Sequence, residues 1–211
     1  MHTYIKNNAE FLLRNIRRIK MAELIGRTPG AVAIRLTNYA SVDPYHQERG
    51  VKGMTGGKKQ VQPIWDEFES NRDELIFESE RIIAKLEKSD IEKKYSKTLV
   101  GIEKLKGETR LSEVKTRINQ NVFRQWLLAD YDNTCAITGL RNPSLLVAGH
   151  IKRWSEDEQN RLNPQNGILM NALHDKAFEE GLITITTDYK IQVSSILKEQ
   201  QDDKAVKNYF L

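Results

Sequence analysis

The strongest constraint on the fold is an ordered run of three segments between Cys135 and Ile185, which read CAITG, LLVAGHIKRWS and NPQNGILMNALHDKAFEEGLITI. Their patterning predicts a short β-branched strand, a turn, a second apolar strand that ends on His150, a polar loop, and a helix that carries His174. This order brings two imidazoles together, one at a strand end and one on a facing helix that also bears carboxylates. The sequence therefore predicts a small polar site that can hold one divalent cation and one activated water.

The stretch from about Gln120 to Ile185 resembles the HNH endonucleases of the ββα-metal fold. The resemblance rests on QNVFRQWLLADYDNTCAITGL, AGHIKRWS and RLNPQNGILMNALHDKAFEEGLITI, where the separations and the apolar pattern match as well as His150, Asn166 and His174. The matching branch lacks a zinc ribbon and includes stand-alone restriction-type nucleases. The resemblance implies an α+β chain whose residues 119–211 form a ββα-metal nuclease domain.

The resemblance also implies a role for each of the three residues. His150 would be the general base that takes a proton from water, a role that suits a neutral imidazole. Asn166 would brace the loop that connects strand to helix, although an Asn before a Gly also suits an ordinary turn. His174 would bind the metal that stabilises charge on the scissile phosphate.

One position departs from the wider family, which often places an Asp or His metal ligand immediately before the general base. Here that position is Gly149, which can bind nothing through a side chain. Asp175, or Glu179 one helical turn beyond it, could supply the missing oxygen; the alternative is that both are solvated surface charges. Lys152 and Arg153, which follow the expected base, are candidates for phosphate contacts.

Cysteine usage excludes a structural zinc ribbon. Cys135 is the only cysteine, and Thr138 stands where a Cys-x-x-Cys pair would need its second thiol. A small ββα unit without that zinc needs further elements to build a core. We expect a preceding helix over residues 122–130 and strands over residues 183–186 and 190–193.

Positive charge is concentrated in the N-terminal part of the chain. Residues 1–60 hold eleven Lys or Arg against four Asp or Glu, a surplus of +7 that leaves −3 for the remaining 151 residues of a chain with net charge +4. Within it, MAELIGRTPGAVAIRLTNY predicts two helices joined by a tight turn, as in a helix-turn-helix unit, and we assign residues 1–62 to a helical, DNA-engaging region. Arg27, Arg35 and Asn38 would then meet phosphates or base edges. The alternative is an ordinary helical hairpin with a cationic surface.

Residues 63–118 are predicted to contain one long amphipathic helix followed by a polar linker. The apolar positions of the helix are Trp65, Phe68, Leu75, Ile76, Ile82, Ile83 and Leu86. This stripe is a candidate homodimer seam, because restriction-type nucleases commonly cut two strands as dimers. The linker is predicted over SKTLVGIEKLKGETRLSEVKTR.

Taken together, the residues and the resemblance predict a metal-dependent DNA endonuclease with a restriction or defence role. The expected cofactor is Mg²⁺, with Mn²⁺ as the second choice. No apolar run suggests a membrane span or a secretory signal, so we expect a cytoplasmic protein that does not bind membranes. Two alternatives are a non-catalytic DNA-binding regulator and an RNA-directed HNH nuclease or toxin.

Overall fold

The computed structural model describes residues 18–210, and the chain divides into two compact units, Met1–Asn119 and Gln120–Leu211. The first unit is helical within its described part. Its elements are α1 (residues 18–24), α2 (Pro29–Ala40), α3 (Pro44–Glu48), α4 (Lys58–Phe68), α5 (Arg72–Leu86), α6 (Ile91–Lys94) and the first half of α7 (Gly107–Asp130). None of the helices within residues 18–210 combines the length and the apolar composition that a membrane crossing requires.

The tight turn predicted between α1 and α2 is confirmed in its local detail. Gly26 adopts a positive φ of 63° after α1, a conformation that glycine accepts without steric cost. The Thr28 hydroxyl caps α2 by accepting a hydrogen bond from the Ala31 amide at 3.2 Å, and Pro29 occupies the first helical position.

The long helix predicted after residue 63 is wrong, because the chain forms three helices there. Asn71 separates α4 from α5, and its side chain accepts from the Glu74 amide at 3.1 Å, so it starts a new helix. The Asn-x-x-Glu spacing of this cap was visible in the sequence.

The predicted linker is also wrong over its second half. Residues 107–117 belong to α7, and Val114 and Ile118 are buried at 2% and 0% exposure. Val114 and Ile118 are four residues apart and therefore lie on the same side of the helix, and their burial stabilises this otherwise polar stretch as a helix.

The second unit contains the ββα arrangement. Strands β1 (Leu146–His150) and β2 (Gly167–Asn171) form an antiparallel pair in which His150 is opposite Gly167, and α8 (Ala172–Glu179) follows β2 directly. The fold class is thus α+β, with small antiparallel sheets in the C-terminal half.

The expected order of strands needs one correction. Residues 135–139 form a turn, closed by the Gly139 amide donating to the Cys135 carbonyl at 3.0 Å. The second strand is instead the stretch GILMN, predicted as part of the loop and helix. Its residues 167–170 are buried, and such a continuous apolar run does not show the alternation that identifies a strand.

The remaining elements of this unit are β3 (Ile183–Ile185), β4 (Ile191–Val193), α9 (Ser195–Glu199) and α10 (Lys204–Phe210). The two strands pair antiparallel and confirm the prediction to within a residue. Ala177 of α8 packs with Ile183 and Leu197 in a small core, against which Phe210 also lies. This core connects α8 to α10.

Candidate active site

His150 is the last residue of β1, and its imidazole is half-buried. Its Nε2 atom lies 2.8 Å from the backbone carbonyl oxygen of Arg161. A carbonyl only accepts hydrogen bonds, so Nε2 must carry the ring proton and donate it. The neutral ring then presents its lone pair at Nδ1, the atom that can take a proton from water.

Two aromatic rings hold the His150 imidazole in place. Phe123 of α7 stacks on it nearly parallel, with ring centroids 4.5 Å apart and an interplanar angle of 7°. Trp154 meets it edge-on at 5.4 Å. Phe123 was not among the expected site residues. The signal for it in the sequence was the Phe-Arg pair in the string QNVFRQWLLADYDNTCAITGL, which carries the family resemblance.

Arg161 fixes the other side of this cluster. Its Nε donates to the Trp154 carbonyl at 2.7 Å, its guanidinium lies 5.3 Å from the centre of the Trp154 ring, and a second nitrogen donates to Glu158 at 2.9 Å. The residue whose carbonyl accepts the hydrogen bond from His150 is therefore anchored at its side chain as well.

Asn166 is buried and makes three hydrogen bonds with its amide. Its Oδ1 accepts from the Lys152 backbone N–H at 2.8 Å, and its Nδ2 donates to the carbonyls of Lys152 and Asn160 at 3.1 and 3.2 Å. These bonds close the loop of residues 151–166. That loop joins β1 to β2, not strand to helix as expected.

His174 lies in the first turn of α8 and is only 4% exposed. Its Nδ1 is 2.9 Å from Asn171 Oδ1 and its Nε2 is 3.0 Å from the Tyr209 carbonyl, while the Phe210 ring packs at 5.3 Å. Burial lowers the pKa of His174, and the hydrogen bond to Tyr209 opposes that shift only in part. Both ring nitrogens face oxygen atoms, so a metal could reach this imidazole only by displacing one of them.

Asp175 and Gly149 come together between α8 and β1. Asp175 is 9% exposed, and its Oδ1 is buried without a hydrogen-bond partner. A Cβ atom built on Gly149 would clash with that same oxygen. Burial, followed by the nearby Glu179 charge, raises the pKa of Asp175.

The other expected site residues are exposed. Glu179 has a side-chain exposure of 63% and lies 3.7 Å from Lys176 Nζ. Lys152 is 71% exposed, with Asp157 3.6 Å from its ammonium, and Arg153 donates to the Glu179 carbonyl at 3.2 Å. Both cationic side chains are open to solvent.

The expected pairing of the two histidines is not seen directly. Within residues 18–210 they share no hydrogen-bond partner, and no group of three or more His, Cys, Asp or Glu side chains is placed to hold one metal ion. The element that carries His174 instead approaches the His150 strand through Asp175, which lies against Gly149, the residue before His150.

In the helical unit, Arg27 is exposed, and Arg35 is exposed with one nitrogen donating to Gln60 at 2.8 Å. Asn38 is 7% exposed and packs on Gly57, where a Cβ atom would clash with its amide. Because its side chain is buried, Asn38 cannot reach a base edge, and its prediction as a DNA contact is wrong.

Comparison with known proteins gives one match, to a protein family. No curated protein and no solved structure matches the chain. The matched segment, residues 135–186, runs from the turn at Cys135 through β1, β2 and α8 to the end of β3, and it contains His150, Asn166 and His174. The family model that matches it is described as HNH endonuclease, and this segment of the chain is similar to that family.

Proposed function

We propose that this chain is a metal-dependent DNA endonuclease in which His150 activates the attacking water. The family match indicates a nuclease and hence a nucleic-acid substrate. The observation that carries the mechanism is the hydrogen bond from His150 Nε2 to the Arg161 carbonyl, because it leaves Nδ1 as the proton acceptor. The water oxygen then forms a bond to phosphorus, its proton moves to Nδ1, and the P–O bond to the leaving oxygen breaks.

Asn166 supports this reaction by positioning. Its amide ties residues 152 and 160 together, which keeps the loop closed and so places the Arg161 carbonyl on the base. Lys152 and Arg153, exposed just after His150, are proposed to hold the substrate phosphates.

A divalent metal is proposed near Asp175. Mg²⁺ is the expected ion, and Mn²⁺ is the second choice. A bound cation would stabilise the negative charge that develops on the phosphate and its leaving oxygen. Mg²⁺ commonly uses only one or two carboxylates together with waters and substrate phosphates, so a site with few protein ligands suits it. The unpartnered Oδ1 of Asp175 fits this chemistry. The proposed protein ligands are His174 and one carboxylate of α8, which is Asp175 or, as the alternative, Glu179.

The basic helical unit is proposed to engage DNA through Arg27 and Arg35 in a helix-turn-helix manner. A homodimer is proposed through α5, where Leu75, Ile82 and Leu86 are exposed at 39%, 48% and 42%. A restriction or defence role is proposed from the resemblance alone.

The test is a cleavage assay with the full chain. Purified protein is incubated with modified and unmodified plasmid DNA and with single-stranded RNA, each with Mg²⁺, with Mn²⁺ and with a chelator. Metal-dependent cutting of plasmid supports the proposal. Cutting of RNA alone would replace it with an RNA-directed nuclease, and binding without cutting would replace it with a DNA-binding regulator.

A further inference from the structure

Gly149 leaves a space on β1 that another residue fills. It lies immediately before His150, and a Cβ atom placed on it would clash with Asp175 Oδ1 and stand 3.2 Å from Met170 Cε. The carboxylate of Asp175 therefore occupies the volume into which a side chain at position 149 would extend. Any residue other than glycine at 149 would have to push that carboxylate away.

The carboxylate that fills this space has an unused oxygen. Asp175 Oδ1 is buried and accepts no hydrogen bond, although a buried carboxylate oxygen is normally satisfied by donors or by a cation. Within the described part of the nuclease unit, it is the one buried side-chain oxygen or nitrogen in this condition. The unsatisfied oxygen thus coincides with the position next to the proposed base.

Glu179 differs from Asp175 in its exposure, its charged neighbour and its distance from Gly149. Its side chain is 63% exposed and lies near the Lys176 ammonium, so it is hydrated and partly neutralised already. The atoms nearest to the Gly149 position belong to Asp175 and Met170, and none belongs to Glu179. The two carboxylates of α8 are therefore not equivalent candidates.

We infer that Asp175 on α8 supplies the carboxylate metal ligand that β1 lacks at Gly149. A carboxylate at either position 149 or position 175 would then bind the metal beside the proposed base. This inference rests on the proposed function and deepens its metal site. The ligand is a hard divalent cation of the Mg²⁺ or Mn²⁺ kind, which prefers carboxylate oxygen. Glu179 contributes charge to the surroundings and is not itself required as a ligand.

The test exchanges the carboxylate between helix and strand. Mn²⁺ binding to the full chain is measured by electron paramagnetic resonance and calorimetry for the parent, Asp175→Asn, Glu179→Gln, and the double variant Gly149→Asp with Asp175→Ala. We expect Asp175→Asn to weaken Mn²⁺ binding by about tenfold or more, since even residues that only orient a ligand cost about 10–100-fold. Glu179→Gln, the matched control on the same helix, should bind within about threefold of the parent, because a screened surface charge contributes little.

The double variant should recover Mn²⁺ binding because its carboxylate again reaches the same space. Circular dichroism shows which variants are folded. Parental Mn²⁺ affinity in folded Asp175→Asn overturns the inference, and so does a folded double variant that fails to recover binding; if the double variant does not fold, Asp175→Asn decides alone. If Asp175→Asn loses Mn²⁺ binding but the parent protein cuts no nucleic acid, the inference stands and the proposed function is refuted.

Discussion

The imidazole of His150 is tied to the backbone of Arg161, whose carbonyl oxygen lies 2.8 Å from its Nε2. This bond connects the end of β1 to the far side of the loop that follows, eleven residues along the chain. It selects the tautomer of the neutral ring that carries its proton on Nε2. The proposed role of His150 as the base therefore depends on the shape of the loop as well as on the imidazole.

Replacing the base is the first prediction. His150→Ala should lower the cleavage rate by about 10²–10⁴ or more, because the proton acceptor is removed, while DNA affinity stays close to that of the parent. Single-turnover rates on plasmid measure the first quantity and filter binding the second. His46→Ala, which removes an imidazole of the helical unit that bonds to Asp43, the cap of α3, is the matched control; parental cutting by His150→Ala would remove His150 from the role of base.

Arg161 is the second target. Arg161→Ala removes its bonds to Trp154 and Glu158 but keeps the carbonyl, so we expect a loosened loop and a mixture of His150 tautomers. Nitrogen-15 NMR should show the mixture, and the cleavage rate should fall by about tenfold or more, since small misplacements of a catalytic group are costly. Arg141→Ala removes an equally charged, 72% exposed side chain that pairs with Asp132 and is the control. A single, parental tautomer in Arg161→Ala would show that the side chain does not position the base.

The third prediction concerns His174 and α10. Because the Tyr209 carbonyl lies 3.0 Å from His174 Nε2, metal binding through that nitrogen should require α10 to move. Saturating Mn²⁺ should then increase amide hydrogen exchange in residues 204–210, and His174→Ala should weaken cation dependence or abolish activity. Unchanged exchange at full metal occupancy, together with a metal-dependent His174→Ala variant, would assign His174 to packing alone.

Several local features were predictable because neighbouring residues determine them. The cap at Thr28, the positive φ at Gly26 and the strands β3 and β4 all follow from turn chemistry and short apolar runs. The HNH motif was predictable in the same way, from an ordered string of residues.

Other features depend on tertiary packing that no local pattern reports. In α2 the apolar Ile34 and Leu36 are 53% and 58% exposed whereas Asn38 is buried, so the side of the helix that packs could not be read from apolar spacing. The meeting of Asp175 with Gly149 requires α8 to lie across β1, twenty-six residues away in sequence. The stack of Phe123 on His150 has the same origin.

The fourth prediction follows from the raised pKa of Asp175. Its folded-state pKa exceeds the unfolded value of about 3.9, so below both values the group has no effect, and stability is lost as the pH rises from about 4 through the folded pKa. In metal-free buffer the parent should therefore lose stability relative to Asp175→Asn as the pH rises from about 4 through the raised folded-state pKa. Chemical denaturation at several pH values measures this difference. Asp188→Asn is the control. Because the hydrogen bond from Lys190 lowers the pKa of Asp188, the parent should gain stability relative to this variant as the pH rises. The same pH dependence of the stability difference for both variants would contradict the prediction.

The last prediction uses the basic helical unit. Changing Arg27 and Arg35 together to Ala should weaken DNA binding and lower the slope of log affinity against log salt by roughly one unit for each phosphate that an arginine no longer neutralises, because each neutralised phosphate releases condensed counterions. The cleavage rate of DNA already bound should not change. Arg81 and Lys85 of α5, both exposed, give a double Ala variant that removes the same charge from the same unit. We expect that control to retain the parental slope, since its cations lie on another helix and Arg81 is already paired with Glu78 at 2.6 Å; superimposable lines for the Arg27 and Arg35 variant and the parent would show that these arginines bind no phosphate.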